Sequence, residues 1–241
     1  MTPDRSTFVL IPGAGVAPGV WRWTIAELRE LGHEAVAPPL PLDDPDAGPS
    51  DHADAVVAAV GDVEGPLVVV GQSLGAFTAP LVAARVSAAE LVLVAPMIPT
   101  PGETAGEWWS AVGHEEAIAP LIDRVGPMDT WGAMQLAAVF LHDVPTDIAR
   151  ESERFTVDSG PGMFSEPWPI SAWPDVPTRV LAPRDDRLFP LEFQRRLARE
   201  RLGLAVEVMP GGHVPMLARP RDLAKHLSAR SGLRQVRAAT S

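Results

Sequence analysis

Pro66-Leu-Val-Val-Val70-Gly71-Gln-Ser-Leu-Gly75 is the stretch that decides the fold. Its apolar run through Val70 is short and β-branched, as a strand buried on both faces requires, and it stops on a glycine. The residues after Gly75 are apolar and helix-compatible through Arg85. Strand, sharp turn and helix therefore follow one another without a linker. A serine at the centre of so tight a turn needs small neighbours, because backbone and side chain crowd there, and Gly71 and Gly75 supply them.

Working outward, Phe8-Val-Leu-Ile11 is a second buried run, and it ends on the glycine-rich Pro12-Gly-Ala-Gly15. A helix over residues 21–31 closes at Gly32, residues 35–37 read as the next strand, and a Pro/Asp-rich loop leads to a helix over 51–60. Downstream, residues 91–95, 179–182 and 205–209 read as strands, with a helix over 191–202 between the last two. This alternation predicts an α/β fold, a mostly parallel sheet flanked by helices. Between Pro96 and Pro177 the rhythm breaks into short helical patterns carrying Trp108, Trp109, Trp131, Trp168 and Trp173. That segment is expected to be a helical lid inserted after the strand ending near Ala95. Any one tryptophan reads first as packing, while the group suggests a greasy cover. The expected organisation is a core of residues 1–96 and 177–232, a lid of 97–176, and a disordered tail of 233–241.

Composition narrows the function. The 241 residues carry 31 acids against 20 bases, a net charge of −11, which argues against a nucleic-acid partner because phosphate binding needs a basic face. Lys225 is the only lysine, so Schiff-base chemistry is excluded everywhere else. With no cysteine, the chain has no disulfide, no Cys-based zinc site and no thiol nucleophile. Neither His-x-x-x-His nor a carboxylate cluster has ligand spacing, so no metal or cofactor is expected. The first apolar run, Phe8 to Ile11, is too short for a signal-peptide core or a membrane span, and the expectation is a cytoplasmic protein without a membrane partner.

In its strand-turn-helix context, Gly71-Gln-Ser-Leu-Gly75 matches the Gly-x-Ser-x-Gly nucleophile elbow, which makes Ser73 the candidate nucleophile. A serine hydroxyl needs a base to take its proton. Of six histidines, His33 precedes an early strand, and His52, His114, His142 and His226 fall in or near helical or inserted segments. Only His213, in Pro210-Gly-Gly-His213, follows the last strand, where it emerges at the same sheet edge as Ser73. The base in turn needs a carboxylate to fix its tautomer, and Asp185 and Asp186 both follow the strand over 179–182. A developing oxyanion needs backbone donors, and the N–H groups of Leu74 and Ala14 are the candidates.

Together these residues resemble the α/β-hydrolase superfamily, and in particular its small methylesterase and hydroxynitrile-lyase-like branch. The similarity rests on Phe8 to Gly15 with Trp21, on Leu31 to Pro38, on the elbow, and on Gly211-Gly-His-Val-Pro-Met-Leu-Ala-Arg-Pro220. The resemblance implies Asp186 as the acid, since Asp186 to Pro190 is similar to the family's acid loop. It also implies two departures. Pro12 stands where the family often has histidine, and Val214 and Gly13 replace the lysine and threonine of the lyases, so cyanohydrin cleavage is not expected. The expected activity is cleavage of an ester, thioester or lactone of a small apolar substrate through an acyl-serine. Acyl transfer, cyclisation or carbon–carbon cleavage on the same residues stays open, as does a non-catalytic ligand-binding receptor.

Overall fold

The computed structural model describes residues 5–61 and 65–229. Six parallel strands form one sheet in the order β2-β1-β3-β4-β5-β6. They are β1 (Thr7–Ile11), β2 (Glu34–Val36), β3 (Leu67–Gln72), β4 (Glu90–Val94), β5 (Thr178–Pro183) and β6 (Glu207–Met209). The last strand is shorter than its sequence pattern suggests, because β6 is an edge strand paired only with Leu181 to Pro183. The expected tail over 233–241 lies outside the described residues.

Side chains alternate across each strand, so the apolar runs feed two cores. Val9, Ile11, Val69, Leu91, Leu93 and Val180 face one side, under α2 (Pro49–Val60), α3 (Gly75–Arg85) and α10 (Leu191–Leu202). Phe8, Leu10, Val68, Val70, Val92 and Val94 face the other, under α1 (Arg22–Glu30), α11 (Pro215–Ala218) and α12 (Pro220–Ser228). Burial on both faces explains why these strands read as continuous apolar runs. Each fully buried aliphatic side chain contributes about 1.5–3 kcal/mol relative to exposure.

Between β4 and β5 the chain builds α4 (Ala105–Ala111), α5 (His114–Ala117), α6 (Ala119–Val125), α7 (Ala133–Phe140), α8 (Thr146–Ser152) and α9 (Gly162–Ser165). Tryptophans anchor this segment. Trp108 and Trp168 are fully buried, and their indole N–H groups donate to the carbonyls of Ile98 and Phe77. Trp173 donates to Pro99 and Trp131 to Gly126, so four of the five tryptophans are bonded to backbone as packed residues are. Arg201 of α10 grips Glu103 with both ends of its guanidinium. Helix α7 is different: Met134 is 81% exposed and Leu136 is also exposed. Among the described residues no helix is long and apolar enough to cross a membrane.

At the amino-terminal edge of the sheet, buried Arg179 of β5 makes two 2.7 Å bonds to Glu207 of β6 and donates to the His226 carbonyl at 2.8 Å. It also reaches Glu90 of β4 at 3.4 Å. Hydrogen bonding to Arg179 holds the Glu207 carboxyl below its ordinary range. Removing one partner of a buried ion pair costs about 3–5 kcal/mol. Because the Glu207 side chain is 41% exposed and can be hydrated when its partner goes, Arg179→Ala is expected to lower the urea unfolding free energy by less than that amount. Because the opposite edge carries the functional groups, turnover per folded molecule should stay unchanged in the same variant.

Candidate active site

The strand order reverses between β2 and β3: the chain leaves β1, pairs β2 on one side of it, and returns to pair β3 on the other. The turns after β1 and β3 therefore lie side by side at the carboxyl edge, where open α/β sheets form their crevices. Close approach is built into this junction. A Cβ on Gly75 would fall 2.6 Å from the Pro12 carbonyl oxygen, and one on Gly71 would fall 2.6 Å from Ala79 Cβ. Ser73 itself adopts φ 51°, a left-handed conformation that costs an L-residue about 1–2 kcal/mol. Three backbone bonds hold it there: Ser73 N–H donates to Val94, and its carbonyl accepts from Ala76 and Met97.

Ser73, His213 and Asp186 converge from three separate turns. Ser73 Oγ lies 3.0 Å from His213 Nε2, and His213 Nδ1 lies 2.8 Å from Asp186 Oδ2. The other Asp186 oxygen accepts the N–H groups of Leu188 and Phe189, both at 2.9 Å. A carboxylate with its lone pairs so occupied fixes the imidazole with a proton on Nδ1 and leaves Nε2 to accept from serine. Phe140 and Phe189 stand edge-on to the imidazole at 5.3 and 5.0 Å. All three polar residues are buried, which strengthens their mutual electrostatics.

Asp185 does not join them. Its carboxylate pairs with Arg184, which holds it below its ordinary range, and accepts the Gly211 N–H at 3.1 Å. It instead fastens the loop that carries His213. Asp143 does the same one residue on, accepting the Gly212 N–H at 2.8 Å. In the first loop, Gly13 N–H donates to Gln72 Oε1 and Gly15 N–H to Ser159 Oγ. Among the described residues the N–H groups of Ala14 and Leu74 have no protein acceptor. These two donors flank Ser73, since a Cβ on Gly13 would lie 2.8 Å from Ser73 Cβ.

A narrow cleft of about 20 Å³, room for one water-sized group, adjoins these donors. Gly13, Ala14, Leu74, Leu40, Leu42, Met163, Thr78 and His52 line it. Ser73, His213 and Asp186 line neither this cleft nor a wider cavity of about 970 Å³ beside Trp109, His114 and Met128. No group of three or more His, Asp or Glu among the described residues is arranged to hold a metal.

A model of the alpha/beta hydrolase family matches residues 8–226. The chain belongs to that family. The hydrolase is also similar to solved structures at identities that speak for the fold alone. A pyrethroid hydrolase from Sphingobium faniae is 21% identical, with 92% of this chain and 96% of that one covered and a TM-score of 0.75. Polyneuridine aldehyde esterase is 18% identical, with 93% and 98% covered and a TM-score of 0.74. A methylesterase from Arabidopsis is 14% identical, with 92% and 96% covered and a TM-score of 0.70. No curated protein sequence matches the chain.

Besides Asp143, three supports of this α/β-hydrolase site escaped the sequence. Gln72 lies inside the elbow motif, where the pattern accepts any residue. His114, from α5, donates Nε2–H to the Leu188 carbonyl at 2.8 Å and so braces the loop that holds Asp186. Gln194 of α10 donates to the Phe189 carbonyl of the same loop. His114 and Gln194 sit far from the motif in sequence, and only a polar residue in an apolar helix face marks them.

Burial holds both His114 and His52 below their ordinary value of 6.5. Such a histidine is protonated more readily in the unfolded chain. Its contribution to stability is present above pH 6.5 and is lost as pH falls below it. Urea titrations from about pH 8 to about pH 5 should show falling stability on the acid side, with a shallower fall in His114→Gln. The glutamine amide can still donate to Leu188, so an unchanged slope would remove His114 from this account.

Proposed function

We propose that the protein is a serine hydrolase that cleaves a small, largely apolar carboxylic ester, thioester or lactone through an acyl-Ser73 intermediate. The observation that carries this reading is the relay Ser73 Oγ, His213 Nε2 and Nδ1, Asp186 Oδ2, at 3.0 and 2.8 Å, beside two uncommitted backbone N–H groups. Ser73 Oγ attacks the acyl carbon as its proton passes to His213 Nε2, and the carbonyl oxygen becomes an oxyanion held by the Ala14 and Leu74 N–H groups. The carbon–oxygen or carbon–sulfur bond breaks, and His213 returns the proton to the leaving group. Water then attacks the acyl-enzyme, giving its proton to His213. The acid departs and Ser73 regains its hydrogen.

Asp186 is the orienting acid in this scheme, and Asp185 belongs to the scaffold of the histidine loop. The similar structures named a hydrolase and two esterases support an ester as the substrate. The cleft wall offers Leu40, Leu42, Leu74 and Met163 to an apolar group, beside polar His52, Thr78 and Ser159 and the carboxylates of Asp44 and Asp158. Residues 97–176 contribute Asp158, Ser159, Gly160 and Met163 to the cleft wall, as a lid over the site would.

Intact-mass analysis with a fluorophosphonate, alongside turnover of short p-nitrophenyl esters, tests the reading. One adduct is expected on the wild type and none on Ser73→Ala. Turnover should fall about 10⁴-fold or more in Ser73→Ala, and by about 10⁴-fold in Asp186→Asn. Asp185→Asn should retain the adduct and most of the turnover. A folded wild type that takes no adduct and turns over no ester overturns the proposal.

A further inference from the structure

Gln72 precedes the nucleophile and is 2% exposed. A buried primary amide is costly unless its groups are bonded, and this one spends them on two distant segments of the site. Its Oε1 accepts the Gly13 N–H at 3.1 Å, and its Nε2 donates to the His213 carbonyl at 3.0 Å. The amide orientation follows from these partners, since flipping it would set NH₂ against N–H and oxygen against oxygen. One side chain thus joins the turn after β3, the turn after β1 and the loop after β6.

We infer that Gln72 is a positioning residue for the oxyanion hole, locking the loop that presents the Ala14 N–H to the backbone of His213. The inference rests on the serine-hydrolase reading. Its physical content lies in the peptide units around Ala14. Gln72 fixes the N–H of Gly13 and Ser159 fixes that of Gly15, so the units on both sides of the Ala14 N–H are pinned while that N–H stays uncommitted. A donor fixed before charge develops needs no reorganisation in the transition state. The bond to His213 acts at the other end, setting the height of the imidazole backbone relative to the same loop. Substrate in its ground state, whose carbonyl carries little charge, depends far less on this alignment.

The test compares wild type with Gln72→Met, of similar length but without either bond, and Gln72→Glu, which keeps the acceptor for Gly13 and loses the donor to His213. Each is measured for kcat, KM and affinity for a trifluoromethyl ketone, which forms a serine hemiketal oxyanion. In Gln72→Met, kcat is expected to fall by about 10- to 100-fold and ketone affinity by a matching factor, with KM nearly unchanged. Gln72→Glu should lose kcat and ketone affinity together relative to wild type, and it carries the test if Gln72→Met does not fold. Unchanged kcat and ketone affinity, or a loss of kcat without loss of ketone affinity, overturns the inference. A wild type unreactive to fluorophosphonate removes the hydrolase reading and this inference together. A reactive wild type with indifferent Gln72 variants removes this inference alone.

Discussion

The left-handed backbone of Ser73 is the constraint on which the site depends. A residue at φ 51° turns the chain so sharply that β3 and α3 meet almost at a point, with the side chain raised above the sheet. That turn closes only because Gly71 and Gly75 let Ala79 and the Pro12 carbonyl come within contact. The cost of the conformation is offset by neighbours that themselves belong to the sheet, chiefly Val94 at the end of β4. Loosening β3 from either neighbour would therefore release the serine as well as the strand.

The rest of the site is a matter of holding loops still. His213 sits in Gly211-Gly212-His213, which offers no side chains of its own for anchorage before the histidine. Asp185, Asp143 and Gln72 supply anchors from three other segments, one to each successive residue. The acid loop is treated in the same way: Leu188 and Phe189 turn their N–H groups to Asp186, and His114 and Gln194 hold the carbonyls behind them. Each convergent side chain thus has a second layer of polar contacts that limits its motion. Such support is what keeps a constellation within a few tenths of an ångström of a working geometry.

The fold was legible because its strands are buried on both faces and its turns are marked by glycine. Phe8 to Ile11 and Leu67 to Val70 carried an unambiguous pattern, and β4, β5 and α10 were read within a residue or two. Ser73 and His213 were singled out from motif and position at the strand ends, and the fold brings their side chains to 3.0 Å. The pairing of Asp186 rather than Asp185 needed more, because adjacent residues on one loop differ only in where the backbone points them. The tryptophans between β4 and β5 carried two readings. Read singly they suggested packing, and Trp108 and Trp168 are core residues whose indoles are fastened to backbone carbonyls. Gln72, Asp143 and His114 were silent, since a hydrogen bond between residues far apart in sequence leaves no local pattern.

The position of the long segment between β4 and β5 bears on how the chain can change over time. Strands β4 and β5 pair directly, so everything from Val94 to Thr178 is a loop whose ends the sheet brings together. The entropy of closing such a loop rises only with the logarithm of its length, about 0.6 kcal/mol for each doubling. Residues can be added or removed there with little effect on the stability of the sheet, provided the Trp108, Trp168 and Glu103 anchorages remain. Asp143, His114 and Ser159 lie in the same segment and hold the loops around His213, Asp186 and Ala14, so length can vary between these anchor points while the anchors themselves tie the segment to the site.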